Sequence, residues 1–259
     1  MATDPTPADA LELSGQVVAV TGATGGIGTG IARRFAAAGA EVLVHHRTSA
    51  DRATELCASL PTRATSAQVD LTDPDGPERL VAAAIDAYGH LDILVNNAGV
   101  QPVTPLTDVT DDEWDVVLGT DLTAVHRCTQ AFAHHRRAEG GGGAVVNIAS
   151  IEGVQPATGH AHYATAKAAL RMYTRAAAAE LGTDGIRVNT VSPGLIDRPG
   201  LAEDWPEGVA RWEQAAPLGR LGRPQDVGDA CVFLASGLAR FITGAELLVD
   251  GGVLTRSTW

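Results

Sequence analysis

Tyr163-Ala164-Thr165-Ala166-Lys167 sets a phenol and an ammonium four residues apart, which on a helix is one face. A free tyrosine ionises near pH 10, so its phenolate is scarce at neutrality. A cation within several ångströms favours the phenolate and moves the group toward a working pH. Such a phenol can give a proton to a carbonyl oxygen as hydride reaches the carbon, and the phenolate can take it back in reverse. By itself the pair is more often just two surface neighbours, but its surroundings add weight. Lys167 is the only lysine among 19 basic residues, and a compact ammonium with three rotatable donors is something arginine cannot supply. Ser150 closely follows the apolar run Ala144–Ile148, the last before that helix. Its hydroxyl could hold the same oxygen as the phenol, with a helix cap or turn as the competing role.

A second cluster stands near the start. Thr21-Gly22-Ala23-Thr24-Gly25-Gly26-Ile27-Gly28 follows a β-branched run and leads directly into a helical pattern. Glycines let the backbone turn tightly against a pyrophosphate, and a helix N-terminus offers free N–H groups and a positive dipole end. The next strand ends Val44-His45-His46-Arg47. A ribose-binding Asp or Glu is usual there, whereas here His46 takes the place and Arg47 follows. An arginine can pair with a 2′-phosphate through charge-assisted bonds, so NADP(H) is favoured over NAD(H); a solvated surface arginine is the plain alternative. Asp70, ending the third strand, is the natural partner of the adenine amino group, with Leu71 beside it in the cofactor site.

The elements that must position these residues alternate. Strands are expected at Val17–Val20, Glu41–Val44, Ala64–Val69, Ile93–Val95, Ala144–Ile148, Ile186–Val191 and Glu246–Val249. Helices are expected at Gly28–Ala38, Ala50–Leu60, Pro77–Tyr88, Asp111–Arg137, Ala161–Leu181 and Pro224–Ser236. That alternation predicts βαβ units and an α/β fold: one Rossmann-type domain, with a doubly wound parallel sheet of about seven strands and helices on both faces. Ligands then bind outside the carboxyl ends of the strands. Residues 1–13 are expected to be a disordered leader without signal-peptide order, and 14–259 a single domain. Gly140–Gly143 looks like a loop.

Bulk properties narrow the classes. A chain of 259 residues with a net charge of −12 is unsuited to nucleic acid, and no apolar run is long enough for a membrane span. Cys57, Cys128 and Cys231 are odd in number and widely separated, which suits free thiols in a reducing cytoplasm rather than disulfides or a metal site.

Taken together, these motifs are similar to those of the short-chain dehydrogenase/reductase family. The chain looks most like the branch holding 3-oxoacyl-carrier-protein reductases, glucose dehydrogenases and polyketide ketoreductases. The resemblance rests on the loop Thr21–Gly28, Asn96-Asn97-Ala98-Gly99, Ser150, Tyr163 with Lys167, Pro193-Gly194 and Asp250-Gly251-Gly252, from about Leu13 to Gly252. It implies that Asn97 lies along the adenosine half of the cofactor, that Pro193, Gly194 and the backbone near Ile196 meet the nicotinamide, and that Tyr163 and Lys167 touch its ribose. It also implies a proton relay from the lysine through a water at a helix kink, held by an asparagine. Asp121 occupies that position here. Gly25 stands where many NADP-preferring relatives carry a basic residue, so phosphate recognition would rest on Arg47, helped by Thr48 or Ser49.

The resemblance makes residues from about 195 to 218 the substrate lid. Trp205 and Trp212 lie in it, and aromatic side chains suit a bulky, partly aromatic or polyketide-like ketone; packing into the fold is the other reading for both. His160 and His162 could line the pocket or sit in its approach. A 3-oxoacyl thioester is the second substrate class, and an alcohol or sugar oxidised in the reverse direction is a further alternative. An extended epimerase or dehydratase would carry a different glycine loop, and a non-enzymatic dinucleotide sensor would tend to lose the tyrosine. Asp111–Arg137 and the helix after it carry apolar faces on both sides, and the resemblance implies that such helices pair across two-fold axes, giving a homotetramer or a dimer.

Overall fold

The computed structural model describes residues 6–256. Seven parallel strands form one sheet: β1 (Val17–Val20), β2 (Glu41–His46), β3 (Ala64–Gln68), β4 (Ile93–Asn96), β5 (Gly143–Ile148), β6 (Ile186–Pro193) and β7 (Glu246–Val249). Their order is β3-β2-β1-β4-β5-β6-β7, with every neighbouring pair parallel. From β1 the chain winds outward to β2 and β3, then crosses back to place β4 on the other side of β1. That reversal opens a crevice at the carboxyl ends of β1 and β4.

Side chains alternate across a strand with period two, so each run feeds two cores. Val18, Val20, Val42, Val44, Ile93 and Val95 face one layer, covered by α2 (Gly26–Ala37), α3 (Ala50–Ser59) and α10 (Pro224–Ala235). Val17, Ala19, Leu43, Leu94, Val145 and Val188 face the other. There α4 (Gly76–Tyr88), α6 (Ala124–Ala138) and α7 (Ala161–Leu181) pack. Phe35 in the first core and Phe132 in the second are fully buried, and each burial is worth about 1.5–3 kcal/mol. Burial on both faces is why the strands read as near-continuous apolar runs. The middle strands end in a satisfied polar ladder: Asn96 donates to Asn147, Asn147 to Thr174, and Thr190 to Thr174, at 2.8–2.9 Å.

Several boundaries differ from the sequence expectation. The segment Asp111–Arg137 is not one α-helix. It is α5 (Asp111–Leu118), a π-helical stretch Gly119–Thr123, and α6, because one extra residue per turn is accommodated where Gly119 weakens the helix and the Asp121 side chain is engaged elsewhere. β3 stops at Gln68, so Asp70 lies two residues beyond the strand. The segment 195–218 contains two unanticipated helices, α8 (Leu201–Asp204) and α9 (Pro206–Ala215). Of the expected leader, residues 1–5 lie outside the described ones, and Pro7–Leu11 form a helix (α1) rather than a disordered stretch. Thr6 and Asp9 make a reciprocal capping box there, and Ala10 is buried.

Candidate active site

The glycine loop is held against the residues that follow β4. Thr21 Oγ1 accepts the N–H groups of Asn97 and Ala98 at 2.8 and 2.9 Å. Asn97 in turn donates from Nδ2 to the Thr21 carbonyl at 2.8 Å. Gly22 adopts φ +60°, and a Cβ there would come within 2.9 Å of Ala98 Cα; one at Gly28 would meet the Gly22 carbonyl at 2.3 Å. Only glycine permits these approaches. No side chain caps α2 at its N-terminus, which leaves the N–H groups of its first turn facing the crevice.

A cavity of about 450 Å³ opens there. Of the expected cofactor residues, Gly22, Thr24, Gly25, Gly26, Ile27, Gly28, Arg47, Asp70, Leu71 and Asn97 all line it, as do Thr48 and Ser49. Asp70 Oδ1 accepts the Thr72 N–H and hydroxyl at 2.9 and 2.6 Å. These bonds hold its carboxyl below the usual range, with help from Arg47 nearby. The Arg47 side chain is exposed and lines the cavity, which leaves it open to an anion. A glycine cradle, an uncapped helix start and an exposed arginine on one cavity fit the phosphates of a nicotinamide dinucleotide. Pro193, Gly194 and Ile196 are not part of this cavity. Pro193 ends β6; beyond it Gly194 donates to the Val249 carbonyl at 3.0 Å and Ile196 bridges to Gly222.

On α7, Lys167 is buried and donates from Nζ to the Ile148 carbonyl at 3.0 Å. Its Nζ lies 5.5 Å from the Tyr163 ring centroid and 3.1 Å from Asp121 Oδ2. Asp121, fully buried in the π-helical stretch, accepts the Val100 N–H at Oδ1, 2.8 Å away. Its Oδ2 has the ion pair but no aligned hydrogen bond. Burial acts to lower the Lys167 pKa, but Asp121 and Tyr163 outweigh it and hold the ammonium above its ordinary value. Burial pushes the Tyr163 phenol up, opposed by Lys167 and the nearby Ser150 hydroxyl and reinforced by Asp121. Ser150 also caps the short turn after β5, accepting the Glu152 N–H at 3.1 Å, with its hydroxyl beside the Tyr163 phenol. The four residues Ser150, Tyr163, Lys167 and Asp121 therefore converge. Asp121, which stands where the resemblance implies a relay asparagine, pairs its side-chain carboxylate with the lysine.

The flanking residues separate. His160 lies edge-on to Tyr163, with centroids 6.1 Å apart, and its Nδ1 is 2.7 Å from Glu152 Oε2. His162 is fully buried and faces α5, with Glu113 Oε1 at 3.7 Å. Trp212 packs under Gly194, where a Cβ would strike its ring at 2.5 Å; it belongs to the fold. Trp205 stays 45% exposed between α8 and α9. Residues missed from sequence include Thr120, on the cavity wall, and His45, buried behind the loop. The spacing that reveals the loop carries no signal for either.

Cys57, Cys128 and Cys231 are free thiols, and burial pushes Cys128 up to about 12. Among the described residues no cluster of His, Cys, Asp or Glu could hold a metal ion, and no helix is long and apolar enough to cross a membrane.

The chain matches the family model described as enoyl-(acyl carrier protein) reductase over residues 22–254. It is 39% identical to L-rhamnose 1-dehydrogenase (NAD(P)(+)) of Azotobacter vinelandii over 92% of this chain and 96% of that one. It is 35% identical to 3beta-hydroxysteroid dehydrogenase 1 of Eggerthella lenta, over 93% of this chain and 95% of that one. A crystal structure of a short-chain type dehydrogenase/reductase from Mycobacterium marinum superposes with a TM-score of 0.88 at 36% identity, covering 96% of this chain and 99% of that chain.

Proposed function

The chain belongs to the short-chain dehydrogenase/reductase family of oxidoreductases, and from that premise we propose that it reduces a bulky ketone with NADPH. The observation that carries the reading is the buried Lys167 held between Asp121, the Ile148 carbonyl and the Tyr163 ring. A bound nicotinamide supplies the hydride. Tyr163 gives its phenolic proton to the developing alkoxide, Ser150 holds that oxygen, and Lys167 steadies the ionised phenol and the ribose. Pro193, Gly194 and Ile196 carry the nicotinamide end, and the cavity residues carry the adenosine and phosphates. The half-exposed Trp205 on the lid favours a flat, bulky substrate, and a 3-oxoacyl thioester is the second class. The similarity to a rhamnose dehydrogenase also keeps the oxidative direction in view. Assaying NADPH oxidation against a panel including polycyclic aromatic ketones tests the reading; turnover confined to alcohols or sugars with NAD would replace it.

Arg47 is the proposed partner of the 2′-phosphate. Arg47→Ala should weaken NADPH binding by about 1.5–3 kcal/mol, the range of a hydrogen bond to a charged group, and leave NADH binding nearly unchanged. Calorimetric titration of both cofactors checks this, and equal weakening would remove Arg47 from the assignment.

Asp121→Asn keeps an acceptor for the Val100 N–H and removes the anion. Turnover should stay within about tenfold, roughly 1.4 kcal/mol in the barrier. Because Asp121 raises the phenol's pKa, its removal lowers that pKa, and the rise of alcohol oxidation with pH should move toward acid. Total loss of activity in a folded variant would give the carboxylate a direct part.

The proposed setting is cytoplasmic, and the proposed assembly a homotetramer or a dimer. Val116 on α5 and Met172 on α7 expose large apolar side chains, as helices that pair with a second copy do.

A further inference from the structure

His45 precedes the last residue of β2, and no feature of the glycine loop assigns it a part. Its ring joins two segments that are distant in sequence. Nδ1 accepts the Gly22 N–H at 2.9 Å, and Nε2 lies 3.0 Å from the Val69 carbonyl oxygen. A carbonyl cannot donate, so Nε2 carries the proton and Nδ1 offers the lone pair. Both partners thus select one neutral tautomer. The backbone carbonyl of His45 also accepts the Ala23 N–H at 2.9 Å, so this residue holds the first two positions of the loop's turn. Gly22 is the one with φ +60°, and it lines the cavity.

We propose that His45 is a positioning residue for cofactor binding: its neutral ring fixes the Gly22 turn in the shape that receives the pyrophosphate. The inference rests on the cavity being the dinucleotide site and deepens that reading. A ring protonated at both nitrogens would turn a donor toward the Gly22 N–H, losing the bond and adding repulsion. Burial, the largest influence, pushes the His45 pKa down to about 4. The titratable groups near it are His46 on its own strand and Asp70 beyond β3, with Arg47 acting on Asp70. Thr21, Asn97 and Ala98, on the side of β1 and β4, add none.

Two substitutions separate the ring's two bonds. H45N puts a side-chain oxygen where Nδ1 stands and keeps an acceptor for Gly22; H45Q puts an amide nitrogen near Nε2 and keeps only the link to Val69. NADPH and NADH binding to each purified variant would be titrated at pH 7 by cofactor fluorescence, with circular dichroism reporting the fold. The expected result is that H45Q weakens both cofactors by about tenfold or more, while H45N stays within about threefold. Equal effects of the two variants, or a larger loss in H45N, would overturn the proposal. Binding of neither cofactor by the unsubstituted protein would instead overturn the reading of the cavity, and the proposal with it.

A second measurement follows from the titration. Because the folded-state pKa is depressed, the neutral ring's stabilisation is full above the ordinary histidine range and is lost as pH falls toward about 4. The urea midpoint of the cofactor-free protein should therefore fall more steeply between pH 6.5 and 4.5 than that of H45N. Parallel falls would overturn the assignment of a neutral, bonded ring.

Discussion

Tyr163→Phe is expected to lower ketone turnover by about 10²–10⁴-fold, the usual worth of a positioned general acid, with cofactor binding weakened only modestly. The substitution keeps the ring that packs against Lys167 and His160 and removes the proton placed beside the Ser150 hydroxyl. The direction of the pH dependence follows from the site. Reduction needs the protonated phenol, and burial holds its pKa above the ordinary value. Reduction should therefore persist through neutral pH and decline as pH rises through that pKa, while oxidation, which needs the phenolate, should rise over the same interval. Steady-state rates in both directions against pH, with saturating cofactor, are the measurement. Near-normal turnover in Tyr163→Phe would refute the catalytic assignment.

Lys167→Arg should be nearly as damaging although the charge survives. The ammonium fits a space bounded by the Ile148 carbonyl at 3.0 Å and Asp121 Oδ2 at 3.1 Å. A guanidinium is longer and planar and cannot aim single N–H groups at both acceptors and at a ribose. Misplacing a catalytic group by about 1 Å can cost 10²-fold, and turnover should fall by about that much. Forcing the larger group into a packed interior should also cost about 1–3 kcal/mol of stability, readable in a urea titration. An active arginine variant of unchanged stability would show that charge alone suffices.

How much of this was legible depended on whether a signal was local. Tyr163 and Lys167 announce themselves because four residues on a helix make one face. The glycine loop does so because a strand, a turn and a helix follow one another without a gap. The three-layer fold, a sheet between two layers of helices, was readable from strands that alternate with helices. The pairing of Asp121 with Lys167 was not, since it joins two elements that only the tertiary structure brings together. Asp121 attracted notice solely as a departure from the family pattern. The π-helical stretch was hidden for a related reason: one inserted residue barely disturbs a 3.6-residue period. His45 was invisible because a histidine in a buried strand resembles any other interruption of an apolar run. In residues 195–218, prolines, glycines and tryptophans obscured the periodicity of α8 and α9.

The burial of the only lysine has a consequence for the protein's covalent chemistry. Every other positive side chain is a guanidinium, so the folded molecule shows surrounding metabolites no exposed side-chain amine. Lys167 itself is only 4% exposed, so sugar aldehydes, activated acyl esters and other amine-seeking electrophiles can approach it only from the crevice, where a bound dinucleotide would stand in the way. The ion pair with Asp121 keeps the amine protonated and therefore a poor nucleophile, so the packing that sets its charge also protects the residue most sensitive to such damage.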